Sequence, residues 1–319
     1  MSGAGKGSPG GAPARVAYAT CEPRLPAWDD DLLSAEALGR RGVEVEFVAW
    51  DDPAAEWASF DRVVVRSTWD YGARLDEFLA WCDRVGSERL RNLPELVRWN
   101  TDKRYLAELD GAGLPVPPTM LIAPGGAVPE FHDEVVIKPL VGAGARDTGR
   151  FGVEARDGAV ALLEKLGRQD EIAMVQPYLH EIERHGETAV MVFGGELAYA
   201  LKKRAFLPED RAAPVADNGV AAAMFDETLV QLGEADRGEV ELALSTVAWL
   251  ARRFGQVPLF ARVDTLLTEQ GPVLMEVEAT EPSLYLAQTA GLERPGAELF
   301  ADAVLADLGR SAGPAGPAR

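Results

Sequence analysis

Residues 260–284, with the sequence FARVDTLLTEQGPVLMEVEATEPSL, carry three acidic side chains on two short apolar segments. Asp264 lies in the first segment, and Glu276 and Glu278 lie in the second. A Gly-Pro pair at 271–272 separates the segments, and this pattern predicts a β-hairpin. Residues two apart in a strand point to the same face of a sheet, so Glu276 and Glu278 share a face.

The acids of this hairpin are candidate metal ligands. Carboxylates that converge from paired strands repel each other unless a cation lies between them. Oxygen ligands of this kind suit Mg²⁺, which shares its coordination shell with substrate phosphates. We therefore predict a site for Mg²⁺, with Mn²⁺ as an alternative, at Asp264, Glu276 and Glu278. The competing interpretation is that the acids form the solvated face of an antiparallel hairpin.

Composition limits the classes of partner. The chain has 319 residues, enough for two or three domains, and a net charge of −19 from 32 basic and 51 acidic residues. This charge argues against a general binder of nucleic acids or anionic membranes, so a nucleotide would need a local basic pocket. The two cysteines, Cys21 and Cys82, form neither a metal motif nor a disulfide framework. With no apolar run of membrane-spanning length, we expect a cytoplasmic protein.

Composition and periodicity also predict the domain organisation. Residues 1–14 and 309–319 are rich in Gly and Pro, and we expect a flexible leader and a flexible tail. Strand and helix patterns alternate over residues 15–98, which predicts a small parallel α/β domain. We expect a central lobe with a glycine-containing loop at 99–178. A second lobe, with the metal site, is expected at 179–308.

The segment EVVIKPLVGAGARDTGR couples an apolar strand to a glycine-containing loop. Lys138, near the end of the strand, would place a positive charge on a phosphate. Gly142 and Gly144 would let backbone N–H groups approach a polyphosphate closely, and Arg146 adds charge to the same loop. The alternative is an ordinary strand-to-loop passage with surface cations.

The motif RSTWDY follows the third predicted strand of the N-terminal domain. Ligands of parallel α/β sheets bind beyond the carboxyl ends of the strands, so the motif could bind an amino-acid substrate. The candidate substrate-binding residues are Arg66, Ser67, Thr68, Trp69, Asp70 and Tyr71. In the alternative interpretation the polar residues cap a helix and Trp69 packs in the core.

The order of these segments resembles the ATP-grasp ligases. The resemblance covers roughly residues 15–308 and is strongest to the small ligases of the O-ureido-serine cyclo-ligase type. The segments that carry it are RSTWDY, VRWNTDKRYL, GARDTGRF, VQPYL, RHGETAV, ARVD and EVEATEPSL. Each motif is loose, but their joint order and spacing are specific.

The resemblance implies a role for individual residues. The implied ATP ligands are Lys103 and Lys138 for the phosphates, Gln176, Tyr178 and Leu179 for adenine, and Glu187 for the ribose. The implied magnesium ligands are Asp264, Glu276 and Glu278, although Asn commonly stands at the position of Glu278. The predicted catalytic residues are Arg262, Lys203 and Arg146. Lys202 and Lys203 are neighbours in a strand, so only one can face the site; the resemblance favours Lys203, whereas strand alternation leaves the choice open.

These observations predict an α/β protein with an N-terminal parallel domain and two α+β lobes that enclose ATP. The resemblance implies an ATP- and Mg²⁺-dependent ligase that activates the carboxylate of an amino-acid-like substrate and joins it to a nitrogen nucleophile, including by intramolecular cyclisation. Ligases of this kind are often dimers, so a homodimer is one expected assembly. The alternatives are a dipeptide-type ligase, a phosphotransferase of the same fold and a non-catalytic ATP-binding module.

Overall fold

The computed structural model describes residues 12–21, 29–142, 145–205, 207, 209, 211–212 and 229–309. The expected leader and tail, apart from residues 12–14 and 309, lie outside these ranges, as does Gly144. The strands are β1 (Ala14–Thr20), β2 (Val43–Ala49), β3 (Arg62–Val65), β4 (Leu90–Arg91), β5 (Met120–Ile122), β6 (Val135–Pro139), β7 (Gly149–Phe151), β8 (Ala173–Pro177), β9 (Glu187–Phe193), β10 (Glu196–Lys203), β11 (Arg211–Ala212), β12 (Val230–Gly233), β13 (Phe260–Thr268) and β14 (Gly271–Glu278). The helices are α1 (Asp29–Gly39), α2 (Leu75–Val85), α3 (Pro94–Asn100), α4 (Tyr105–Gly111), α5 (Arg156–Arg168), α6 (Glu181–His185), α7 (Arg237–Phe254) and α8 (Gly296–Asp307).

The N-terminal sheet is parallel and has the strand order β2-β1-β3-β4. Nearly every residue of the central strand β1 is buried. Because successive side chains of a strand point to opposite sides, β1 is buried on both of its faces. Val16 and Tyr18 pack in a cluster with residues of α1 and α8. Ala17 and Ala19 pack on the other face, in a cluster with aromatic residues of α2. The parallel α/β unit expected from the sequence is therefore confirmed.

Two antiparallel sheets follow. The central sheet has the order β11-β7-β6-β8-β5, and α5 packs on it. The C-terminal sheet has the order β12-β10-β9-β13-β14, and α7 packs on its strands. Asp236 begins α7 with a capping box, in which its side chain accepts a hydrogen bond from Gly238 N, and Gly255 ends the helix in the left-handed conformation. Within the described residues, no helix is both long and apolar enough to cross a membrane.

The hairpin expected at 260–284 is formed by β13 and β14. Arg262 lies opposite Glu278, and Asp264 lies opposite Glu276. The turn, however, is at 269–270, rather than at the Gly-Pro pair. Gly271 instead opens β14, opposite Thr268, with a φ of 115° that favours glycine.

The outer edge of β14 is hydrogen-bonded by side chains, since the sheet has no further strand on that side within the described residues. The Tyr105 hydroxyl donates to Val277 O (3.1 Å) and accepts from Val277 N (2.9 Å). Asn100 donates to Val277 O (2.7 Å) and accepts from Ala279 N (2.7 Å). Asn92 donates to Ala279 O at 2.7 Å. The segment that includes α3 and α4 thus fixes the strand that carries Glu276 and Glu278.

Buried charges connect the N-terminal domain to the segment that follows β14. Asp30 accepts hydrogen bonds from the backbone N–H groups of residues 284–286, at 2.6–2.9 Å. Arg66 is 3% exposed; its Nε donates to Asp31 Oδ1 (2.8 Å) and its Nη1 donates to Pro282 O (3.3 Å). Arg66 is therefore part of the interface between the two parts of the chain.

We expect Arg66→Ala to lower the free energy of unfolding by about 3–5 kcal/mol, because the Asp31 charge would remain buried without an opposite charge beside it. Arg98→Ala is the control, since Arg98 pairs with Asp83 on the surface, where both side chains are at least half exposed. The control should lose about 0–1 kcal/mol. Chemical denaturation measures both values, and equal losses would contradict the interface assignment.

Candidate active site

A cavity lies between the central and C-terminal sheets. Most of the site residues expected from the sequence line it, namely Tyr71, Lys103, Lys138, Gly142, Arg146, Gln176, Tyr178, Leu179, Glu187, Lys203, Arg262, Asp264, Glu276 and Glu278. These residues come from separate segments of the chain. The fold therefore brings together the cations of one set of motifs and the acids of another.

The acids of the hairpin pair with cationic side chains of the protein itself. Asp264 accepts from Arg262 Nε (2.9 Å) and from Lys203 Nζ (2.7 Å). Glu276 lies 3.1 Å from Lys103 Nζ, and Glu278 pairs with Arg262. The repulsion expected from converging carboxylates is thus offset by three cations that could move to phosphate oxygens when a nucleotide binds.

Burial and neighbouring charges separate the pKa values of these acids. Burial alone would raise the pKa of Asp264, but Arg262 and Lys203 hold it below its ordinary range. Lys103 and Lys138 likewise lower the pKa of Glu276 against the effect of burial. Burial raises the pKa of Glu278 to about 7, in spite of Arg262 and with the help of the neighbouring acids. Glu278 is therefore the hairpin acid that most needs another positive charge.

Lys103 and Lys138 enter the cavity from the other side. Lys138 lies on β6, and burial lowers its pKa from the ordinary value, with Glu276 acting in the opposite direction. Lys103 Nζ donates to Gly142 O at 2.7 Å, which connects it to the loop after β6. A polyphosphate beside Lys138 would favour the charged form of this lysine, which burial disfavours.

The structure distinguishes the two adjacent lysines. Lys203 faces the cavity, and its Nζ lies 2.7 Å from Asp264 and 2.9 Å from Glu187. Lys202 points to the opposite face, where its Nζ donates to Thr188 Oγ1 and lies 3.5 Å from the buried Glu239. The strand alternation that left the choice open in the sequence thus excludes Lys202 from the cavity, and its expected role in cofactor binding has no support here.

The far end of the cavity is more apolar. Gln176, Tyr178 and Leu179 lie there, and the Gln176 amide donates to Thr119 Oγ1 at 2.9 Å. Five apolar residues of the cavity lining were not predicted from the sequence, namely Val136, Ile182, Leu207, Leu266 and Met275. Val136 pairs with Gln176, and Ile182 N donates to Leu179 O, so these two lie at this end. Strand alternation is a signal for Leu266, because Leu266 lies two residues after Asp264. This end suits a flat, weakly polar ring.

Arg146 also lines the cavity, from the loop after β6. Its Nη2 lies 3.0 Å from Glu171 and its Nη1 lies 3.4 Å from Asp147. The guanidinium therefore contacts acids in the segments that lead into β7 and β8. Its expected catalytic role stays a prediction.

Of the RSTWDY motif, the structure brings only Tyr71 to the cavity, within the described residues. Arg66 and Ser67 bond to Asp31 of α1 instead. Thr68 is buried, Trp69 is half-buried, and Asp70 accepts from Trp50 Nε1 at 2.9 Å. The expectation that Arg66 holds the substrate carboxylate is therefore replaced by a structural role, because its guanidinium already bonds to Asp31 and Pro282.

Glu281 is a cavity residue that the sequence analysis missed. It follows Glu278 by three residues, and it lines the cavity beside Tyr71, with whose hydroxyl it interacts. Burial, together with the neighbouring Glu278, raises the pKa of its carboxyl to about 8. Asn100 and Thr101 also line the cavity. Only the general acidity of EVEATEPSL could have indicated Glu281, because no periodic pattern continues past the end of β14.

The donor set fits a magnesium ion shared with a nucleotide. Among the described residues, no group of three or more acids, histidines or cysteines is placed to hold a metal ion as the side chains stand. Mg²⁺, however, is usually bound by one or two carboxylates together with substrate phosphates, rather than by a cage of protein ligands. Asp264 and Glu276 are direct cross-strand neighbours that face the cavity, so they meet this requirement.

Comparisons with known proteins agree with this geometry. Residues 16–93 match the family model described as the N-terminal domain of D-cycloserine synthetase DcsG. Residues 116–234 match the model described as the ATP-grasp domain of prokaryotic glutathione synthetase. The two matches cover the parallel domain and most of the region that forms the cavity.

Similar proteins extend the match to most of the chain. The cycloserine biosynthesis protein DcsG of Streptomyces lavendulae is 34% identical over 283 residues, which are 84% of this chain and 90% of that protein. The crystal structure of D-cycloserine synthetase DcsG has a TM-score of 0.80 and 32% identity, covering 92% of this chain and 100% of that chain. D-alanine–D-alanine ligase from Bacillus anthracis, in complex with ATP, shares the fold with a TM-score of 0.61 and 14% identity, over 92% of this chain and 97% of that one. Together with the cavity, these matches show that the chain belongs to the ATP-grasp ligases, in the family of DcsG, and is an ATP-dependent enzyme that forms carbon–nitrogen bonds.

Proposed function

We propose that this protein is an ATP- and Mg²⁺-dependent ligase that closes a ring within an amino-acid-like substrate, of which O-ureidoserine is the model. The observation that carries the proposal is the cavity, which has an apolar end and, at the other end, acids paired with displaceable cations. The similarity to DcsG, a protein of cycloserine biosynthesis, supports ring closure over the joining of two amino acids.

In this proposal ATP lies along the cavity with adenine at the apolar end, beside Gln176, Tyr178 and Leu179. Glu187, which lines the cavity and pairs with Lys203, would accept hydrogen bonds from the ribose hydroxyls. Lys103 and Lys138 would contact the phosphates. Lys103 would exchange its ion pair with Glu276 for a charge-assisted contact with a phosphate. Lys138, whose charge burial disfavours, would gain such a contact.

The metal would be held by Asp264, Glu276 and the phosphates, with Glu278 close by. When bound, Mg²⁺ would offset charge on the phosphate oxygens as a Lewis acid. Arg262, which bonds Asp264 and Glu278, lies where it can orient these acids and stabilise charge on the transferred phosphoryl group.

The proposed chemistry has two steps. A carboxylate oxygen of the substrate attacks the γ-phosphorus, and the bond to the β-phosphate oxygen breaks, giving an acyl phosphate and ADP. The substrate nitrogen then attacks the acyl carbon and loses a proton, while the bond to phosphate breaks to give a ring amide and inorganic phosphate. The position of the cavity between two sheets would limit the access of water to the acyl phosphate.

Incubation with ATP, Mg²⁺ and O-ureidoserine should release ADP and form a ring amide. The ring amide is lighter than the substrate by the elements of water, and by those of isocyanic acid (HNCO) in addition if its carbamoyl group is also lost. Mass spectrometry of the products identifies it. A phosphorylated substrate that accumulates would indicate a phosphotransferase instead, and a linear product formed only with a second amino acid would contradict ring closure.

The adjacent lysines provide a matched pair for nucleotide binding. Lys203→Met should weaken ATP binding by about tenfold to a hundredfold, because it removes a cation that now pairs with Asp264 and could move to a phosphate oxygen when ATP binds. Lys202→Met, on the opposite face, should change the dissociation constant by less than about twofold. Titration calorimetry on both folded variants measures the difference, and similar losses would refute the assignment of Lys203.

Glu276→Gln should reduce ADP release by about a hundredfold or more, because the metal would lose an anionic ligand. The same variant should bind ATP without metal at least as well as the wild type, since a negative charge beside the phosphates is removed. Glu269→Gln, at the exposed turn of the same hairpin, is the control. Should added Mg²⁺ improve ATP binding equally in wild type and Glu276→Gln, Glu276 is not a metal ligand.

A further inference from the structure

Glu281 and Tyr71 form a polar pair on the cavity wall that the proposed binding of ATP does not use. Tyr71 comes from the N-terminal domain, is 4% exposed and interacts through its hydroxyl with the neighbouring Glu281. Its ring stacks on Phe78 at a centroid distance of 5.0 Å, which holds the hydroxyl in place. Glu281 lies in the segment after β14, so the pair joins two parts of the chain at the cavity.

The charge environment of Glu281 differs from that of the other acids in the cavity. Asp264, Glu276 and Glu278 each form an ion pair with a lysine or an arginine. Within the part of the chain that the structure describes, Glu281 forms no ion pair with a basic side chain, and its partner is the neutral Tyr71 hydroxyl. A partly buried carboxylate beside one neutral donor has unused acceptor capacity, and Glu281 lines the cavity in which a ligand would bind.

The position of Glu281 relative to Arg262 indicates which part of a ligand it would meet. Arg262 pairs with Glu278 and donates to Ser283 O at 3.3 Å, so its guanidinium contacts residues on both sides of Glu281 in the sequence. Arg262 is the cation that we assign to the transferred phosphoryl group, and the substrate carboxylate must lie next to that group in order to receive it. A group held by Glu281 would therefore lie next to that carboxylate.

We propose that Glu281, positioned by Tyr71, binds the α-ammonium group of the amino-acid substrate and selects substrates that carry it; this inference rests on the proposed function. In an α-amino acid the ammonium nitrogen and the carboxyl carbon are attached to the same carbon atom. A site that holds the carboxylate beside Arg262 thus needs an anionic acceptor close by. Held in this way, the ammonium keeps its proton, so it does not compete with the ring-closing nitrogen as a nucleophile.

The test compares two substrates and two variants. O-ureidoserine carries the α-ammonium group, and 3-(ureido-oxy)propanoate is the same molecule without it. Glu281→Gln removes the charge but preserves the size, and Glu293→Gln makes the same change at an exposed glutamate after β14. The kcat/KM for each substrate and the KM for ATP are measured for each protein, with thermal melting to check the fold.

The wild type and Glu293→Gln should prefer O-ureidoserine by about tenfold to a hundredfold, which is the expected effect of one charge-assisted contact. Glu281→Gln should lose most of this preference through the KM for O-ureidoserine, with the KM for ATP within about twofold. Glu281→Asp should restore part of the preference, and Tyr71→Phe should lower it less than Glu281→Gln does. The melting temperature of Glu281→Gln should not fall, because a repulsion with Glu278 is removed.

An equal loss for both substrates in Glu281→Gln would overturn the inference and leave ring closure intact. If the wild type forms a linear product instead of a ring, the proposed ring closure is wrong. The role of Glu281 is then still tested by whether Glu281→Gln removes the preference for the substrate that carries the ammonium group. If the wild type releases ADP with neither substrate, both proposals are overturned.

Discussion

The pairing register of β13 and β14 is the constraint on which the site depends. It sets Arg262 opposite Glu278 and Asp264 opposite Glu276, so that four charged side chains face one cavity while Val263 and Val277 face the core. A shift by one residue would reverse every one of these positions. The hydrogen bonds that Asn100 and Tyr105 form with the backbone N–H and C=O of Val277 help to prevent such a shift, because a shifted strand would present a different residue to them.

Charge balance explains how so many acids can be stable in one cavity. Asp264 and Glu276 keep low pKa values because Lys203, Arg262 and Lys103 lie beside them. Glu278 and Glu281 have raised pKa values, since the cations do not fully offset burial and mutual repulsion. The acids of the cavity therefore fall into two that are already neutralised, Asp264 and Glu276, and two that gain from an added positive charge, Glu278 and Glu281. This difference agrees with the proposed position of an ammonium group at Glu281.

Sequence reasoning succeeded where the signal was local. The hairpin, the shared face of its acids and the parallel N-terminal unit all follow from short periodic patterns, and the ligase family followed from the order of motifs. It failed where the answer depended on a distant partner. Arg66 bonds Asp31, which lies 35 residues earlier, and no pattern in RSTWDY reveals that contact. The choice between Lys202 and Lys203 likewise required the register of β10 against β9, which fixes the face of each residue.

The hydrogen bonds from residues 284–286 to Asp30 have a mechanical consequence. They connect the N-terminal domain to the segment that begins just after Glu281, and a movement that separated these two parts would break all three bonds at once. A swing of the central sheet would break none of them. Opening and closing of the cavity would thus be a movement of the central sheet, which carries Lys138. The wall formed by Tyr71 and Glu281 would keep its shape throughout a turnover cycle.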